Sequence, residues 1–145
     1  MIIKRHTTGF DCKEVNTFSA NEFKKSCFQI GRDNGVQVVS VDTNLLGKNF
    51  YCATFEEKNG ATIYLLFNPH TLYLCFANKV NYEGIDYLNC SWNLSNVPMD
   101  YTLLSMQDLT ESIDGSLGEL ALEEIQQIEY WKPGKCGDVI YNYWD

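Results

Sequence analysis

The stretch from Val36 to Asn78, "VQVVSVDTNLLGKNFYCATFEEKNGATIYLLFNPHTLYLCFAN", constrains the fold more than any other part of the chain. It holds four short runs rich in Val, Ile, Phe, Tyr and Thr, residues that suit a pleated, half-buried surface. Polar breaks at Lys58-Asn59-Gly60 and Asn68-Pro69-His70 separate the later runs. Asn-Gly between two apolar runs is a strong hairpin signal, because a tight primed turn needs positive φ at both central residues. The segment therefore reads as an antiparallel meander, with strands near 49–57 and 61–67 joined at Asn59-Gly60. Two of its runs do not separate apolar from polar side chains. Ile63, Leu65 and Phe67 share one face and Tyr64 and Leu66 the other; Leu72, Leu74 and Phe76 likewise oppose Tyr73, Cys75 and Ala77. A sheet with one wet face alternates apolar with polar. This one is apolar on both sides, so both sides need a cover.

One cover is legible upstream. In "SANEFKKSCFQIGRDNG", Ser19 and Glu22 have capping-box spacing, and Phe23, Cys27 and Ile30 recur on one helical face before Gly31 and Asn34-Gly35 end the run. Downstream, Leu117, Leu120, Ala121, Glu124 and Ile128 fall at helical offsets, which predicts a helix from Gly118 to Gln127. The chain then closes on "IEYWKPGKCGDVIYNYWD", with Tyr130, Trp131, Tyr143 and Trp144 among its last residues. Cys136, Val139, Ile140, Tyr143 and Trp144 share a helical face, Pro133-Gly134 precede it, and Asp138 sits in its first turn. A terminal helix that packs these aromatics onto the sheet is predicted; an edge strand is the alternative. Between 80 and 118, "GIDYLNCSW" reads as a strand and "MDYTLLSMQDL" as a strand or a helix start. The expected fold is α+β: a single domain over 1–145, with a central antiparallel β-meander of about four to six strands, covered by an N-terminal helix and C-terminal helices.

The N-terminus, "MIIKRHTTGFDCKEVN", places Lys4 after two apolar residues with no apolar stretch behind it, which is not a secretory signal. No apolar run approaches the roughly 20 residues of a membrane span. A cytoplasmic chain is expected. In a reducing compartment its six cysteines (Cys12, Cys27, Cys52, Cys75, Cys90 and Cys136) should be free thiols, and no C-x-x-C pair suggests zinc or redox work.

Catalytic constellations are missing from the sequence. Only His6 and His70 could serve as imidazole bases, and His70, in Asn-Pro-His-Thr, reads as an exposed turn residue. Cys136, beside Lys135 and just ahead of the terminal helix, is the one thiol whose setting would lower its pKa, but it also belongs to the apolar stripe. No H-x-x-x-H, H-E-x-x-H, calcium loop, G-x-G-x-x-G or phosphate loop occurs. Glu56-Glu57 and Glu123-Glu124 are adjacent pairs whose members point apart. Aromatics on a sheet can stack bases, but single-strand binding also needs cations along the phosphates, and this chain has 11 Lys and Arg in all. No cofactor, no metal, no direct nucleic acid and no enzymatic activity are expected.

The charge is lopsided. Net charge is −8, and nine acids from Asp108 onward face only Lys132 and Lys135, so that segment carries −7 of it. Such a field repels phosphate backbones and attracts basic proteins. The final segment, through Ile128, Tyr130-Trp131-Lys132-Pro133, Gly137-Asp138, Ile140, Asn142 and Trp144-Asp145, resembles the immunity proteins of contact-dependent growth inhibition and related bacterial polymorphic toxin systems. The resemblance covers about 18 of the 145 residues. It implies a protein that binds and blocks a cognate toxin domain, often a nuclease, and carries over no catalytic residues. The shared segment itself reads as packing. The expected contacts to a basic toxin are Glu111, Asp114, Glu119, Glu123, Glu124 and Glu129, with Glu119 and Glu123 four apart on the predicted helix. Two other readings stand beside it: a small cytosolic enzyme with a cysteine or carboxylate site, and a subunit of a larger assembly whose apolar faces a partner covers.

Overall fold

The structure, a computed structural model, describes residues 1–10 and 17–144, and of Thr17 and Phe18 only the backbone. Cys12 and Asp145 lie outside the described residues, as does the whole stretch between Phe10 and the first helix.

In chain order the elements are α1 (Thr17–Asn34), β1 (Gln37–Asp42), β2 (Tyr51–Glu56), β3 (Thr62–Asn68), β4 (Tyr73–Asn81), β5 (Gly84–Leu88), β6 (Thr102–Leu103), α2 (Met106–Thr110), α3 (Leu122–Trp131) and α4 (Cys136–Ile140). Strands β1 to β5 form an antiparallel meander in sequence order, as expected from the alternation. The sixth strand is short and parallel, pairing Thr102 and Leu103 with Tyr73 and Leu74 at the start of β4. The "MDYTLLSMQDL" stretch thus holds both a strand and a helix start. Ser105 Oγ accepts from Asp108 N and Asp108 Oδ2 from Ser105 N, a capping box that opens α2.

The β2–β3 hairpin turns where Asn59-Gly60 says it should, but the turn is one residue longer than a primed pair. Glu57 N donates to Ala61 O at 2.8 Å and Gly60 N to Glu57 O at 2.9 Å, closing a three-residue loop. Only Gly60, at φ +85°, is left-handed; Asn59 instead uses its side chain to accept from Ala61 N at 2.9 Å. This is the type I turn with a glycine bulge, the next commonest way to match strand twist.

Both faces of the sheet are dry along its central strands, β2, β3 and the first half of β4. On one, α1 lays Phe23, Cys27 and Ile30 over Tyr51, Ala53, Phe55, Leu65, Phe67, Leu74 and Phe76. Phe23 stacks on Phe67 at 5.7 Å, and Trp92, from the loop after β5, sets its edge against Phe55 and Phe76. Each such buried side chain contributes about 1.5–3 kcal/mol. α1 begins before Ser19, so Ser19 is not its cap; its hydroxyl lies 3.2 Å from the Tyr51 hydroxyl, and Glu22 pairs weakly with Lys25.

The other face is covered by the two ends of the chain. Leu66, Tyr73, Cys75 and Ala77 meet Ile3, Leu104, Leu109, Ile128, Cys136, Val139, Ile140 and Tyr141. Three boundaries here differ from expectation, the first being that α3 runs past Gln127 to Trp131, where Lys132 turns left-handed and donates its N–H to Ile128 O at 2.8 Å. α3 starts at Leu122, because Leu117 to Leu120 form a turn and Ala121 is the N-cap, its N–H held by Glu124. α4 stops at Ile140: Asn142 N donates to Asn49 Oδ1 at 2.7 Å and Asn142 O accepts from Asn49 N at 3.2 Å, which pulls the backbone out of the helix. Tyr143 and Trp144 therefore lie beyond the helix, and the edge-strand alternative fails as well. Among the described residues no helix is long and apolar enough to cross a membrane.

Candidate partner-binding surface

The groups that could do chemistry are mostly packed away. Cys27, Cys75 and Cys136 are buried, and Cys52 and Cys90 half-buried; all five are free. Burial raises the Cys27, Cys75 and Cys90 thiols, and pushes Cys52 up to about 11, with the nearby Lys48 charge only partly opposing it. Such thiols stay protonated near neutral pH and make poor nucleophiles. Cys136 is fully buried, its one S–H within weak reach of either Ser112 O or Ser116 Oγ, so the apolar-stripe reading describes it. His70 is half-buried beside Gly9 rather than an exposed turn residue, and its N–H donates to Asn68 Oδ1. Among the described residues no group of three or more His, Cys, Asp or Glu is placed to hold a metal ion.

A buried polar knot ties the ends of the chain to the sheet, and nothing local in the sequence marks it. Asn49 and Asn68 each donate from Nδ2 to Thr7 O and to Ile140 O, at 2.6 to 2.9 Å. Thr7 Oγ1 lies 3.2 Å from Thr71 Oγ1, and Asn142 Nδ2 donates to Val139 O. Glu124 closes the knot. It is fully buried and accepts from His6 N, Thr8 N, Thr8 Oγ1 and Ala121 N at 2.8 to 3.2 Å. Every buried polar group in the set is paired, the condition under which such a network rigidifies rather than destabilises. The knot explains why the costly aromatics at the end of the chain are held: Tyr141 and Tyr143 meet Phe50 edge-on at 5.8 and 5.3 Å.

The six acids expected at a partner surface separate in the structure. Glu124 is withdrawn from it, since its carboxylate is spent on the N-terminal turn. Glu119 precedes α3 in a loop, so Glu119 and Glu123 do not share a helical side, contrary to the predicted pair. Glu111 is exposed, but its carboxylate accepts from the Met1 amino group at 2.9 Å. That bond raises the pKa of the amino group. Asp114, Glu119, Glu123 and Glu129 are exposed.

α3 gathers two of them. At about 100° per residue, Glu129, Leu122, Gln126, Tyr130 and Glu123 occupy one arc of about 120°, and all five are exposed. Leu122 is 69% and Tyr130 75% exposed, so this arc sets two large apolar groups between two carboxylates. The opposite side of the helix holds Glu124, Ile125 and Ile128 against the core. Trp131, 40% exposed at the end of α3, meets Tyr130 edge-on at 5.2 Å and lies parallel to Trp144 at 6.2 Å. Sequence reasoning missed these aromatics as surface, having assigned them to packing; their place after Glu129 on a helix whose inner face is already Glu124 and Ile128 is the signal that could have found them. Comparison with known protein families, curated proteins and solved structures finds no match for this chain.

Proposed function

We propose that this is an immunity-type protein that binds a basic toxin domain in the cytoplasm and blocks it by occupying its cationic surface. The reading rests on the outer arc of α3, where Glu123 and Glu129 flank exposed Leu122 and Tyr130. Large side chains that anchor an interface, ringed by charges that select and steer the partner, are the composition of a binding surface rather than of a solvated helix face. The −7 carried by the C-terminal segment supplies the long-range attraction. The resemblance of that segment to immunity proteins supports the same partner class. Asp114 and Glu119, both exposed, extend the acidic surface around α3.

The test is Glu123→Lys with Glu129→Lys, measured against any toxin domain found encoded beside this gene. Folding should hold, because exposed charges contribute little to stability. Association should slow by about tenfold at low salt and lose most of its salt dependence, since steering acts on the on-rate. Unchanged rates would take α3 out of the interface. If no neighbouring domain binds the wild-type chain, the immunity reading fails.

A further inference from the structure

A cleft of about 320 Å³ opens between the β4–β5 turn and the segment around the end of α3. Its size falls at the low end of small-ligand pockets. Tyr82 and Glu83 of the β4–β5 turn line it together with Trp131, Lys132, Asp138 and Trp144. Tyr82 is 79% exposed. The turn backbone and the two indoles are held in place before anything binds. Asn81 Oδ1 accepts from Glu83 N and Gly84 N, fixing the turn. Trp131 Nε1 donates to Gln127 Oε1 at 3.1 Å, Trp144 N donates to Asn142 Oδ1 at 3.2 Å, and the two indole planes are 2° from parallel. Asp138 spends Oδ2 on Lys135 N, and among the described residues neither Asp138 nor Glu83 makes an ion pair, with Lys132 or any other cation.

We infer that this cleft takes an arginine side chain of the protein partner, an inference that deepens the proposed binding function and rests on it. Aromatic faces carry negative charge density and attract cations. Two carboxylates add to that field, against one lysine. A guanidinium suits the site better than an ammonium, because it is planar, stacks on indole and phenol rings, and loses its water more readily. Its fork of donors suits carboxylates such as Glu83 and Asp138, and its plane suits an aromatic face, and both kinds of group line the cleft. Rings fixed in advance lower the ordering cost of binding.

The probe is the capped peptide Ac-Arg-Arg-Arg-NH2, with the Lys and Gln tripeptides as comparisons, titrated into the full chain labelled with 15N. The Trp131 and Trp144 indole N–H signals should move and saturate with the arginine peptide. Trp92, on the opposite face of the sheet, should not move. The lysine peptide should bind more weakly and the glutamine peptide not at all. Glu83→Gln with Asp138→Asn should weaken arginine binding about fivefold. Tyr82→Ala, at an exposed turn that need not disturb folding, should weaken it by a similar factor. Equal shifts at all three indoles, no shifts, or equal binding of lysine and arginine would overturn the inference. The same variants against the toxin domain separate the two readings. A toxin that binds Glu83→Gln/Asp138→Asn as tightly as wild type removes the cleft and leaves the immunity function. An arginine peptide that seats as described while no toxin domain binds keeps the cleft's chemistry, removes the partner from this proposal, and ends the immunity reading.

Discussion

Replacing Glu124 by alanine should unfold this protein more readily than replacing any exposed acid of the C-terminal segment. The carboxylate serves four donors, and three of those bonds, from Thr8 N, Thr8 Oγ1 and Ala121 N, are buried. A buried donor left without an acceptor costs about 1–3 kcal/mol. The Thr8 hydroxyl can rotate and the loop can relax, so the lower part of that range applies, and the total is about 3–5 kcal/mol. Against a typical stability of about 5–15 kcal/mol, that is a large share. Glu124→Gln separates the contributions. If its amide oxygen takes the Oε1 position it keeps His6 N and Ala121 N, while its NH2 faces the Thr8 N–H and the Thr8 hydroxyl turns to accept from it. That variant should cost about 2 kcal/mol. Urea denaturation followed by circular dichroism measures both, with the midpoint for Glu124→Ala lowered by about 1.5–2.5 M at an unchanged slope of about 2 kcal/mol/M. Glu123→Ala, one residue away and exposed, is the control and should stay within about 0.5 kcal/mol of wild type. Glu124→Ala matching that control would refute the reasoning, and slower toxin binding without lost stability would return Glu124 to the interface.

Two further outcomes follow from the packing. At pH 8, Cys52, whose pKa is pushed up to about 11 from 9.0, should react with iodoacetamide about 100-fold more slowly than an ordinary thiol. Its rate should climb as pH rises, and peptide mapping before and after denaturation checks this, together with the silence of buried Cys27 and Cys75. At Gly137 an added Cβ would sit 2.6 Å from the Tyr87 ring and hydroxyl, so Gly137→Ala must push Tyr87 off the end of the chain. It should cost about 1–3 kcal/mol by thermal or urea unfolding, and a neutral result would mean that Tyr87 yields freely.

What could be read from the sequence was what local chemistry sets. The alternation of Ile63 to Phe67 and Leu72 to Ala77 marks a sheet buried on both faces, and the Phe23, Cys27 and Ile30 stripe marks the helix that covers one of them. The turn at Asn59-Gly60 was legible in position but not in length, because Asn59 could either adopt a left-handed backbone or use its side chain, and it does the latter. The acidic segment was legible as charge. Exposure was not, since Glu123 and Glu124 are identical neighbours in the sequence and a single helical step turns one to water and the other to Thr8.

By itself, then, the sequence determined a two-faced apolar meander with α1 on one side and a requirement for cover on the other. Only the tertiary structure decided how that second cover is built. The bonds that end α4 and hold the N-terminal turn join residues far apart in the chain: Glu124 and Thr8 are 116 positions apart, and Asn142 and Asn49 are 93. Their side chains find backbone groups that come within reach only after the sheet has formed. No pattern of neighbouring residues can encode a partner that distant, so the same Asn and Glu read as surface until the fold brings their donors and acceptors to them.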